Sequence, residues 1–125
     1  MILVDTSVWV HHLRHHEPAL AHLLDLGLVL AHPWVIGELA LGHLSERHHV
    51  LRLLAGLPSA EVATETEVLG LVEAEQLYGL GIGYVDAQLL AGTRLSAGAR
   101  LWTADKRLRA VARRLDLAAD VAIEP

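Results

Sequence analysis

Short apolar runs alternate with segments whose apolar positions recur every three or four residues. Met1 to Val4 is apolar without polar alternation, the pattern of a strand buried on both faces of a parallel sheet. A helix capped by Thr6 or Ser7 follows, carrying Trp9, Val10 and Leu13. Pro18 fits the first turn of a second helix, with Leu20, Leu23 and Leu24 on its face and Gly27 as its stop. Leu28 to Ala31 read as a second buried strand. Pro33 opens a helix that contains Glu38 and ends near Gly42. Ser45 caps the next, with Val50, Leu51, Leu53 and Leu54 inside and Gly56 and Pro58 closing it. Ala60 to Ala63 suit a short strand. Thr64, with Glu67 three residues on, is a capping box for a helix to about Gly79. Gly79, Gly81 and Gly83 make a turn, after which Tyr84 or Val85 starts a helix to about Ser96. Arg100 to Thr103 form a strand. Leu108, Val111, Ala112 and Leu115 stripe a helix from Lys106 to Asp116, and Val121 to Ile123 suit a last edge strand. Strands alternating with helices predict an α/β fold, one domain over 1–125, with a mostly parallel central sheet.

Composition narrows this picture. With 125 residues, 53% of them hydrophobic, the chain has material for a core that needs no covalent staple. Mean hydropathy is high at +0.37. Yet no run approaches the roughly 20 apolar residues of a membrane span. The best, Leu26 to Gly37, is broken by His32 and Pro33. No basic segment leads into an apolar one at the start, so no signal peptide is expected. Cysteine is absent, which excludes disulfides, thiolate zinc sites and cysteine nucleophiles and makes the cytoplasm the default compartment. A net charge of -5 speaks against a broad electrostatic grip on nucleic acid. However, six of the 10 basic residues lie between Arg100 and Arg114, enough for a local positive face.

Four carboxylates stand out because each interrupts an apolar stretch, where a lone charge is costly. Asp5 ends the first strand and Asp105 follows the Leu101 strand by a few residues. Glu38 lies about a turn into the helix after the second strand, and Asp86 in the first turn of the helix after the glycine turn, where the dipole favours an anion. In parallel α/β sheets ligands bind beyond the carboxyl ends of the strands, so the four converge on one edge. Oxygen donors without cysteine fit Mg²⁺, with Mn²⁺ as substitute, better than zinc. Thr6, Ser7 and Thr103 are placed to orient the carboxylates. A single Asp after a strand is ordinarily a cap or turn residue, and spacing alone leaves both a metal site and a set of caps open.

The blocks around these acids add a resemblance that covers nearly the whole chain. They are Leu3-Val4-Asp5-Thr6-Ser7-Val8-Trp9, Val35 to Gly42 around Glu38, Leu77-Tyr78-Gly79 to Val85-Asp86-Ala87, and Leu101 to Leu108 around Asp105. In order and spacing the chain resembles the PIN-domain nucleases, and among them the VapC-type toxins of bacterial toxin–antitoxin pairs. The resemblance implies a three-layer α/β/α domain and metal-dependent endoribonuclease activity on structured RNA, such as transfer RNA or a ribosomal RNA loop. Asp5, Glu38, Asp86 and Asp105 would then be the catalytic and metal-binding acids, with Thr103 as hydroxyl neighbour. It also implies a VapB-type antitoxin, whose tail often fills the acidic groove with an Arg, and a homodimer. Some relatives carry a further acid two residues after the Asp105 position; here Arg107 stands there, which leaves the number of metals open.

Other residues invite ordinary readings. His11/His15 and His12/His16 are helical i,i+4 pairs that suit either a transition metal or a solvated helix face. His32, Glu38 and His43 lack the spacing of a zinc protease. Trp9, Trp34 and Trp102 read as core, with a stacking role open for Trp9. Lys106, Arg107, Arg109, Arg113 and Arg114 lie off the apolar stripe; Lys106 and Arg107, beside Asp105, are the candidates for substrate phosphate. Two other functions compete. An aspartyl-nucleophile phosphatase of the haloacid-dehalogenase type needs a second Asp two residues after Asp5, where Ser7 stands. A catalytically silent PIN-like module that binds RNA or protein would not require all four acids.

Overall fold

The computed structural model describes residues 1–121. In chain order the elements are β1 (Ile2–Val4), α1 (Thr6–His15), α2 (Pro18–Asp25), β2 (Val29–Leu30), α3 (Pro33–Leu41), α4 (Arg47–Ala55), α5 (Glu65–Ala74), α6 (Tyr84–Leu95), β3 (Arg100–Trp102) and α7 (Lys106–Arg114). The sheet order is β2-β1-β3, and all its strand pairs are parallel. Leu3 stands opposite Leu30 on one side and Leu101 on the other. α1 packs on α3 and α3 on α4, while α5 packs on α6, which also meets β3. The result is a three-layer α/β/α arrangement.

The apolar runs form the centre because they are buried on both faces. Leu3, Val4, Leu101 and Trp102 are almost fully buried, as are Val8, Leu89, Leu90 and Leu108 from the flanking helices. Burying side chains of this size stabilises by about 1.5–3 kcal/mol each.

The edge beside β2 is shorter than the apolar pattern predicts. Ala31 exchanges backbone bonds of 2.8 Å with Pro58 O and Ala60 N around Ser59, a single parallel bridge. The strand expected at Ala60 to Ala63 stops there, because Glu61 N donates to Ser96 Oγ at 2.9 Å and leaves the sheet. On the other side Leu101 bridges Ala118. The strand expected at Val121 to Ile123 falls, past Val121, outside the described residues.

Helix ends needed tertiary information. α1 is preceded by Asp5 rather than capped by Thr6 or Ser7, and α4 by Glu46 (left-handed, φ 51°) rather than Ser45. The Thr64–Glu67 capping box forms as expected, with bonds of 2.9 and 3.1 Å. However, α5 stops at Ala74 instead of Gly79. Gln76 turns left-handed, Leu77 N bonds back to Val72 O at 2.9 Å, and Leu77 enters the core. Among the described residues no helix is long and apolar enough to cross a membrane.

Candidate active site

Asp5 ends the central strand and is buried at 6% exposure. It occupies the N-cap position of α1 but makes no capping bond. Its Oδ2 instead accepts two hydroxyl protons, from Ser7 at 2.8 Å and Thr103 at 2.6 Å. Each hydroxyl has one proton, and both go to Asp5. The same oxygens accept backbone N–H groups, Ser7 from Ala104 at 3.1 Å and Thr103 from Asp105 at 3.0 Å. The loop after β3 is thereby locked onto the carboxylate at the end of β1. Among the described residues the other oxygen of Asp5 accepts no hydrogen bond.

The remaining acids are fixed from their own elements. Thr6 in the first turn of α1 donates to Glu38 Oε1 at 2.6 Å, tying α3 to the Asp5 corner. Asp105 caps α7 by accepting Leu108 N at 3.0 Å. Asp86, in the first turn of α6, accepts Gly83 N at 3.0 Å. Burial pushes the Asp86 carboxyl above its ordinary value; the Gly83 bond opposes this, and the charges of Asp5, Asp105 and Glu38 add to it. All three other acids act on Asp86, so the four sequence-remote carboxylates share one electrostatic neighbourhood.

Among the described residues none of the four forms an ion pair with Lys, Arg or His. Nor are any three acidic or imidazole groups there already gathered around one point as a cage. The donor set still fits a hard divalent cation. It is all oxygen, partly buried and uncompensated, and Mg²⁺ binds through one or two carboxylates while keeping several waters. Asp5, whose orientation two hydroxyls fix, would be the anchor.

A family model described as the PIN domain matches residues 2–114. Over 110 residues the chain is 54% identical to Ribonuclease VapC32 of Mycobacterium tuberculosis, strain CDC 1551 / Oshkosh, covering 88% of this chain and 89% of that protein. The same figures hold for Ribonuclease VapC32 of strain ATCC 25618 / H37Rv. The chain belongs to the PIN-domain family, among its VapC-type members.

Around the carboxylates of this PIN domain lie groups that periodicity alone did not single out. Arg109, which lies off the apolar stripe of α7, donates to Thr103 O at 3.1 Å and braces the locked loop. Lys106 and Arg107 are exposed in the first turn of α7. Arg107 lies over the glycine turn: a Cβ on Gly81 would stand 2.7 Å from its Nη1, and Gly81 has φ +78°. Trp9 and Trp102 are core, but Trp34 is 40% exposed and meets the Tyr84 ring edge-on at 5.8 Å. This corrects the reading of Trp34 as core and closes the stacking role left open for Trp9. The histidine cluster is partly structural. His12 Nδ1 accepts Glu17 N at 2.9 Å and His11 Nε2 lies 3.6 Å from buried Glu17, which closes the corner between α1 and α2.

Proposed function

We propose that residues 1–125 make one PIN domain acting as a divalent-metal-dependent endoribonuclease, the toxin half of a type II toxin–antitoxin pair. The observation that carries this reading is the set of four uncompensated carboxylates at the carboxyl edge of the sheet, with Asp86 raised by burial and, beyond that, by the charges of the other three. Asp5, Glu38, Asp86 and Asp105 are its catalytic and metal-binding acids. Bound there, Mg²⁺ or Mn²⁺ supplies a counter-charge and a more acidic water for phosphodiester hydrolysis. Ser7 and Thr103 hold Asp5 in one orientation, and Thr6 does the same for Glu38. Lys106 and Arg107 take RNA phosphates from the start of α7. Neutralising both should weaken RNA binding and flatten its salt dependence in filter-binding titrations.

The substrate is a structured RNA, a transfer RNA or a ribosomal RNA loop, and the compartment is the cytoplasm. A VapB-type antitoxin inhibits by placing a guanidinium among the carboxylates, where it pairs bidentately and replaces the cation. The chain pairs with a second copy through an apolar helix face such as that of α5, where Leu69 is 49% exposed.

The test is cleavage of total bacterial RNA by the purified chain, with new 5′ ends mapped by sequencing. It should give a few discrete cuts with Mg²⁺, and none with chelator or in Asp5→Asn. Binding of RNA without metal-dependent cuts would move the reading to a catalytically silent module.

A further inference from the structure

Outside the carboxylates, one side of Glu38 carries a feature that the reading above does not use. Trp34 stands one helical turn before Glu38 on α3, so the two share a face. Tyr84 opens α6 two residues before Asp86. Both rings are large yet 40% and 42% exposed, and they meet edge to face at 69°. Tyr84 is held in place. Gln88, one turn further along α6 and 4% exposed, donates Nε2 to Tyr84 Oη at 3.1 Å. Gln88 Oε1 has no partner among the described residues. A buried amide used only to brace an exposed ring costs stability rather than adding it. Beside the pair, Trp34, Gly37, Glu38, Leu41 and Val85 line an apolar cleft. Leu41 is 91% exposed, and at Gly37 a Cβ would meet nothing within 4 Å, so the wall is open. The cleft runs into the carboxylates, since Glu38 lines it and Val85 precedes Asp86.

We propose that Trp34 and Tyr84 form a stacking platform for one nucleobase of the RNA, beside the bond to be cut. This rests on the ribonuclease reading above. A phosphodiester held at Glu38 and Asp86 brings its flanking base to the cleft, because Glu38 belongs to both the acids and the cleft wall. The occupant must not be anionic where it meets Glu38 and must present a flat apolar face. In a polyanion only the base does so, and every base has such a face, so the site is tolerant of sequence. Trp34 and Tyr84 position substrate, and Gln88 positions Tyr84.

The test uses the full chain carrying Asp5→Asn, so that RNA is bound but not cut. A short single-stranded oligoribonucleotide and an abasic strand of the same length are titrated while tryptophan fluorescence is followed. Trp9 and Trp102 are 2% and 1% exposed, so the response reports Trp34. Quenching by the RNA but not by the abasic strand, lost in Trp34→Leu, is the expected result. Affinity should fall about 5- to 150-fold in Trp34→Leu and in Tyr84→Leu, the range for one stacked base, and less in Tyr84→Phe. In the cleaving chain Trp34→Leu should raise KM more than it lowers kcat. Equal response to both strands overturns the platform. So does a dimer that becomes a monomer in Trp34→Leu by analytical ultracentrifugation, with RNA affinity unchanged, since the face would then join two copies. Base-dependent quenching in a chain that cuts no RNA keeps the platform and removes the ribonuclease.

Discussion

At the scale of single residues, Asp5 and Asp86 carry the same charge in opposite circumstances. Asp5 has its hydroxyl donors, whereas Asp86 is desolvated beside three other acids. The folded chain holds the Asp86 proton more tightly than the unfolded chain does, so ionising it costs stability at neutral pH. Asp86→Asn removes that cost and keeps an acceptor for Gly83 N. Without metal it should melt a few degrees higher by circular dichroism, about what 1 kcal/mol is worth in a domain of this size. Thr103→Val keeps volume but loses one donor to Asp5 and the acceptor for Asp105 N. It should weaken divalent-metal binding by about 10- to 100-fold in calorimetric titration, with the fold intact. The acids themselves were legible, because charges ending apolar runs demand a reason. The orientation of Trp34 was not, since an apolar helix position reads the same whether it faces core or cleft.

Elements place these residues through their ends, and α3 shows how. His32 caps it by accepting Trp34 N at Nδ1, 3.1 Å away. The ring proton is therefore on Nε2, which is buried and without a partner among the described residues. Burial lowers the His32 pKa. Protonation would also put two N–H groups face to face at the cap. The unfolded chain thus binds this proton more readily, and the native state loses stability as pH falls below the ordinary value of about 6.5. The melting temperature should drop from pH 7.5 to 5. His32→Asn, an N-cap that does not titrate, should flatten that slope. Local signals such as Thr64 and Glu67 were readable because both partners sit within one turn. The early end of α5 was not, because it is set by the burial of Leu77, which depends on residues far along the chain.

For the whole molecule, one fact assembles the candidate site: the strands are parallel, so their carboxyl ends share an edge. Alternating strand and helix patterns made this legible. The isolated bridges at Ser59 and Ala118 were not, because a single bridge leaves no periodic trace. Adding Mn²⁺ at 100 times its dissociation constant should stabilise the native state by about 2.7 kcal/mol, seen as a rise in melting temperature that Asp5→Asn abolishes. The sheet order has a consequence for synthesis. The central strand leaves the ribosome well before β3, and Asp5 meets Thr103 only across 98 positions. A nascent or truncated chain ending before β3 lacks one of the two hydroxyl donors that orient Asp5 and one of the two strands that flank β1. Non-local pairing of this kind forms late. Synthesis from the first residue onward therefore completes the Asp5 corner only once β3 and the loop after it have been made.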